Sequence, residues 1–132
     1  MTIETFERYR GISANVKALQ MEIDSLYAPI SSPNGKTGET YSSTPGDPTK
    51  QAVHKILILK EKLSQELTKQ IELLEEIEAW FAEADDKDAE IIALIRMHYI
   101  VGLSWRQTNL KAYGYSDYHN ARKKVFRYFG RE

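Results

Sequence analysis

Apolar positions along this chain recur at three- and four-residue intervals, which marks helices with one buried stripe. Ile12, Val16, Leu19, Ile23 and Leu26 follow a 4-3-4-3 rhythm, loosely extended by Ile3 and Phe6. A first helix is therefore predicted from about Thr2, a suitable N-cap, to Tyr27, with Gly11 weakening it only locally. From Pro29 to Gly46 the chain is rich in Pro, Gly, Ser and Asn and has no periodic apolar face, which predicts a flexible loop over 29–47. Asp47-Pro48 then restarts a helix, with Asp as the cap and Pro at the first position, where its missing N–H costs no hydrogen bond. The pattern runs to about Ala82. Val53, Ile56, Leu63, Leu67, Leu74, Ile77 and Phe81 lie on a heptad seam that Lys60 and Gln70 interrupt. Leu57, Leu59, Ile71 and Leu73 lie off that seam, so the apolar face is wider than a two-stranded coil needs.

At 1.5 Å per residue the second helix is about 50 Å long, too long for one short partner to cover. The first helix, folding back, covers about half of it as an antiparallel, coiled-coil-like hairpin. The remainder favours a homo-oligomer held through Ile56, Leu63, Leu67, Leu74 and Ile77. The alternative is a monomeric three-helix packing.

A second pattern begins at Asp85. Asp85-Asp86-Lys87-Asp88 puts carboxylates at the positive end of a new helix. Ile91, Ile92, Leu94, Ile95, Tyr99 and Ile100 give it a buried face, and Gly102 stops it. Ser104 and Gln107 have the spacing of a capping box and open a short helix, with Trp105, Thr108 and Leu110 available for packing. That helix ends near Tyr113-Gly114, where glycine suits a left-handed turn. Ser116 is the expected cap of a last helix from Asp117 to about Phe129, with Ala121, Val125 and Phe129 (or Tyr128) facing inward. The chain is thus read as all-α, with a helical hairpin over residues 1–84 and a helix-turn-helix module over 85–132.

Charge sharpens this reading. From Arg96 onward eight basic residues stand against Asp117 and Glu132, a local +6; since the whole chain carries −1, the remainder carries −7. A basic end on an acidic body suggests a polyanionic partner for that end, here double-stranded DNA, although a solvated charged face gives the same count. The second helix of a helix-turn-helix enters the major groove with its N-terminal half on base edges. Tyr118, His119, Asn120, Arg122 and Lys123 occupy that half, and Arg106, Lys111, Lys124 and Arg127 suit phosphate.

The stretch from Leu94 through Gly102 to Gln107, followed by Tyr113-Gly114-Tyr115-Ser116, resembles the promoter-reading region 4 of sigma-70-type factors. More closely, it resembles small phage-encoded proteins with the same module, including late-transcription regulators of the ArpU/RinA type. The resemblance implies a transcription regulator of phage late or packaging genes, with host RNA polymerase as a further partner. Two motifs depart from the sigma pattern. Gln107-Thr108-Asn109 replaces an acidic residue and a small apolar pair, and Ser116-Asp117-Tyr118-His119-Asn120-Ala121 opens the reading helix. The resemblance therefore carries over no DNA sequence.

Little supports an enzyme. His54, His98 and His119 fall on different expected helices, with no partner at the spacing of a zinc helix, and the chain has no cysteine and no glycine-rich phosphate loop. No cofactor or metal is expected. No apolar run reaches membrane-spanning length, and Met1-Thr2-Ile3-Glu4 lacks the features of a secretory signal, so a cytoplasmic, nucleoid-associated location is expected. Two alternatives to a regulator remain: a DNA-recognition subunit of a packaging machine, like a small terminase, and a helical protein-interaction module. Limited proteolysis should cut first within residues 29–46; resistance throughout that stretch would mean that it packs on the helices.

Overall fold

The protein, described by a computed structural model over residues 1–31 and 48–130, is all-helical, with five α-helices and no strand among those residues. These are α1 (Ile3–Ser31), α2 (Pro48–Ala82), α3 (Ala89–Ile95), α4 (Trp105–Tyr113) and α5 (His119–Tyr128). A 3₁₀ turn at Asp86–Asp88 leads into α3, and a π-helical turn at Arg96–Val101 follows it. The α2 bounds match the expectation, with Pro48 first. α1 runs four residues past its expected end at Tyr27, through Pro29, because proline near a helix end removes a single ladder bond and leaves the last turn intact. The rest of the loop expected at 29–47, and Asp47 as a cap, lie outside the described residues. No helix among the described residues is long and apolar enough to cross a membrane.

The fold divides into two compact units, Ala14–Lys69 and Met1–Ser13 with Gln70–Glu132. In the first unit, Ile23 of α1 is buried with Ile56 and Leu59 of α2, and Leu19, Leu26 and Leu63 pack around them. The two helices run antiparallel there: Asn15 donates to Glu66 (3.0 Å), while further along α1 Glu22 faces Lys55 (3.8 Å). Bonds from Asn15 and then Lys69 hold the Glu66 carboxyl below its ordinary range.

The second unit holds the larger core. Ile3, Phe6 and Tyr9 of α1 are buried with Leu73, Ile77 and Phe81 of α2, Leu94 and Ile95 of α3, Tyr99, and Ala121 and Val125 of α5. Phe6 is fully buried, with ring centroids 5.7 Å from Trp80, 6.2 Å from Phe81, 5.7 Å from Tyr99 and 5.8 Å from Phe129. Such offset and edge contacts add about 0.5–1.5 kcal/mol per pair beyond area burial. Arg96 grips Glu78 with two bonds of 2.8 Å and lies 4.3 Å over the Phe81 ring, tying the π-helical turn to α2.

Along α2 the inward row is Ile56, Leu59, Leu73 and Ile77, all buried, with Leu63 and Gln70 half-buried; on the expected seam's other line, through Val53, Leu67, Leu74 and Phe81, only Phe81 is buried. The two seams share the line 56, 63, 70 and 77. Leu59 and Leu73 take the second line, while Val53 and Leu67 are exposed and Leu74 is half-buried. An apolar face this wide admits either pairing, and the helices packed on it decide between them.

Gly102 (φ 98°) ends the π-helical turn in the left-handed conformation, and the N–H groups of Gly102 and of Leu103 (3.0 Å) both reach back to the Met97 carbonyl. His98 is buried there. Its Nδ1 lies 2.7 Å from the Leu103 carbonyl, and its ring stacks on Trp105 at 3.7 Å. A carbonyl only accepts, so Nδ1 carries the proton of a neutral imidazole. Burial, with a smaller contribution from the Arg10 charge, lowers the His98 pKa to about 4.

A histidine whose pKa falls on folding contributes stability above its unfolded value of 6.5, and that stability is lost as pH falls towards 4. Between pH 7 and pH 5 the protein should lose about 2 kcal/mol of unfolding free energy through this group. Urea titrations of the wild type and His98→Gln check it: the variant should lose that much less over the same interval. Equal losses in both would show that His98 is not held neutral.

Candidate nucleic-acid interface

The α4–turn–α5 segment is built from local signals and one buried side chain. Ser104 accepts from Gln107 N–H (3.1 Å) while the Gln107 side chain accepts from Ser104 N–H (3.0 Å), so both halves of the capping box form at the start of α4. Gly114 (φ 84°) closes α4 in the left-handed conformation, with its N–H on the Leu110 carbonyl at 2.8 Å. The cap of α5 differs from expectation. Asp117 Oδ1, not Ser116, accepts from His119 N–H at 2.9 Å, and the helix begins at His119. An aspartate two residues ahead of an amide closes an Asx turn, and the residue at the N-cap position of α5, Tyr118, makes no side-chain cap bond.

Asn109 fixes α5 against α4. It has no exposed surface; its Nδ2 donates to the Tyr115 carbonyl at 2.8 Å, and its Oδ1 accepts from Ala121 N–H at 3.1 Å. One amide thus joins α4, the turn and the first turn of α5, satisfying an α5 N–H that has no partner within the helix. Thr108 beside it is also buried, and Leu110, expected to pack, is exposed. The signal for Asn109 lies in its register: four residues after the half-buried Trp105, it falls on the inward face of α4.

Ala121 and Val125 are fully buried, Phe129 packs against the same core, and Tyr128 is exposed. That leaves His119, Lys123 and Arg127, at four-residue spacing, on the outer face of α5. Among the expected base-reading residues, Tyr118, His119 and Lys123 are exposed, while Asn120 and Arg122 are half-buried. Asn120 Nδ2 donates to the Tyr115 hydroxyl at 3.2 Å, and the Arg122 guanidinium lies 4.4 Å over the Phe126 ring. Tyr115, which the sequence reading did not single out, is half exposed at the tip of the turn.

Of the expected phosphate contacts, Arg106, Lys111 and Arg127 are exposed. Lys124 is engaged elsewhere: its ammonium lies 3.0 Å from Glu90 and 3.2 Å from the Tyr113 hydroxyl, and 4.5 Å over the Tyr113 ring. Tyr113 also donates a short bond to Glu90. This cluster joins α5 to α3 and α4; the bond from Tyr113 and then that from Lys124 lower the Glu90 pKa, and Glu90 raises that of Lys124. Arg96 and Lys124, both counted in the basic surplus, are therefore paired with Glu78 and Glu90.

The five residues expected to oligomerise are distributed differently. Ile56 and Ile77 are buried in the chain's own cores, Leu63 and Leu74 are half-buried against them, and Leu67 is exposed. Among the described residues no three His, Cys, Asp or Glu side chains gather as a metal site.

Replacing Asn109 with alanine leaves the Tyr115 carbonyl and the Ala121 N–H without their partner. The expected cost is about 3 kcal/mol of unfolding free energy, measured by chemical denaturation. A loss below about 1 kcal/mol would mean that the turn holds α5 without this amide. No family model, curated protein or solved structure matches this chain.

Proposed function

We propose that this chain is a DNA-binding transcription regulator of the phage late-gene type, acting in the bacterial cytoplasm as a self-associated protein with α5 in the major groove. One observation carries the reading. The outer face of α5 presents His119, Lys123 and Arg127 in a row, on a helix whose inner face is locked by Ala121, Val125 and the Asn109 amide. A reading helix needs this combination, since base edges are recognised only by side chains held at fixed positions. Lys123 and the half-buried Arg122 are the base-edge donors of this reading, with Tyr118, His119 and Asn120 beside them. Arg106, Lys111 and Arg127 serve as phosphate contacts, and Lys124 steadies the helix through Glu90. The likeness to sigma region 4 supports the same assignment and adds host RNA polymerase as a partner.

The test is capture of sheared DNA from the encoding genome, with washes of rising salt followed by sequencing. Phosphate-driven binding fades steeply with salt while specific sites persist. Enrichment upstream of a gene block supports a regulator, and enrichment beside a packaging start favours a terminase-like role. Arg122→Ala and Lys123→Ala should each weaken binding to the captured site by about 1–3 kcal/mol and relax its sequence preference. Lys111→Ala should weaken all sequences alike and lower the salt slope by about one. Unchanged binding in the Arg122→Ala, Lys123→Ala double variant would reduce α5 to a solvated face and overturn the reading.

A further inference from the structure

The wide apolar face of α2 divides into two rows. One, through Ile56, Leu59, Leu73 and Ile77, is buried within the chain. The other faces solvent: Val53, Leu57, Leu67 and Ile71 are 45%, 61%, 38% and 57% exposed. With Lys60 and Ser64 they occupy positions 53, 57, 60, 64, 67 and 71, a 4-3-4-3-4 rhythm that keeps to one stripe of a supercoiled helix. Scattered exposed hydrophobics are ordinary on a protein surface, whereas four on one stripe form a seam.

This seam reads the same in both directions about Lys62. When a second α2 is laid against it end for end, Val53 meets Ile71, Leu57 meets Leu67, and Lys60 meets Ser64, so every apolar position finds an apolar counterpart. Such self-complementarity is what a two-fold interface requires. A parallel pair would also set each apolar position on an apolar one, its own copy, and charge decides for the antiparallel orientation. From Pro48 to Gln65, α2 carries four lysines and one glutamate; from Glu66 to Ala82 it carries five glutamates and one lysine. Antiparallel pairing lays the basic half of one helix on the acidic half of the other, with Lys50 level with Leu74 and beside Glu75 of the second copy. Parallel pairing sets like charge on like.

We infer that α2 is a dimerisation helix, pairing antiparallel with α2 of a second copy along the 53–71 seam, with the two-fold axis at Lys62. The occupant of the outward row is thus a copy of the chain itself. The inference names an orientation and a register that the proposed function leaves open, and it does not depend on DNA binding.

The absence of cysteine from the sequence makes the test direct. The full-length protein should sediment at twice the 15.2 kDa mass of the chain. Leu57→Glu with Leu67→Glu should halve that mass while preserving helical circular dichroism, because both side chains face solvent in the single chain. For orientation, Leu57→Cys and Leu67→Cys variants are oxidised separately and after mixing. The antiparallel register predicts disulfide-linked dimers only in the mixture, whereas a parallel register links each variant to itself. A monomeric wild type, a stoichiometry above two, self-linking of either variant alone, or no linking in the mixture would overturn the inference. None of these readouts involves DNA, so failure here and failure of the α5 reading are separable.

Discussion

Asn109 occupies a fully buried position on α4, where a polar group is costly unless its hydrogen-bonding capacity is met. Its two principal bonds go to the Tyr115 carbonyl and the Ala121 amide, on either side of the connection between α4 and α5. Making both bonds at once restricts where α5 can sit against α4, because the donor and acceptor of one amide lie in a fixed relation to each other. Apolar packing around Ala121 and Val125 would tolerate small slides of α5; the amide does not. The direction of the His119, Lys123 and Arg127 row follows from that side chain together with the buried Ala121 and Val125.

Around this point the second unit distributes its constraints by reach. Ser104, Gln107 and Gly114 act on their own turns. The Glu90–Tyr113–Lys124 cluster joins three helices at the surface, where an ion pair contributes modestly and mainly sets direction. Phe6 works at the longest range, bringing the start of α1 into a cluster with Trp80, Tyr99 and Phe129. The basic helix is therefore embedded in a core that includes the first residues of the chain.

What could be read from the sequence was what is decided locally. Pro48 opens α2, Gly102 and Gly114 adopt left-handed conformations, and Ser104 with Gln107 forms the capping box, since each signal acts within a few residues. The seam of α2 was legible only as a wide face, because choosing between rows 53/67 and 59/73 depends on which helix packs there. Asn109 read as a departure from a family pattern, because its partners lie six and twelve residues away and across a turn. Lys124 read as one more cation, because nothing local connects it to Glu90, thirty-four residues earlier. Tyr118, His119 and Lys123 came out exposed as expected, since the four-residue spacing of Ala121 and Val125 determines which side of α5 turns inward.

The Phe6–Phe129 contact also orders events during synthesis. The two rings lie 5.8 Å apart but are separated by most of the chain, so the aromatic cluster cannot close until Phe129 has left the ribosome. Until then Ile3, Phe6 and Tyr9 lack α5 as a partner and have only the earlier-made α2 and α3 to pack on. The Ala14–Lys69 unit has no such delay: Ile23, Ile56 and Leu59 are all made long before α5. Vectorial synthesis therefore allows α1 and α2 to meet before the helix that turns its basic row to solvent is seated.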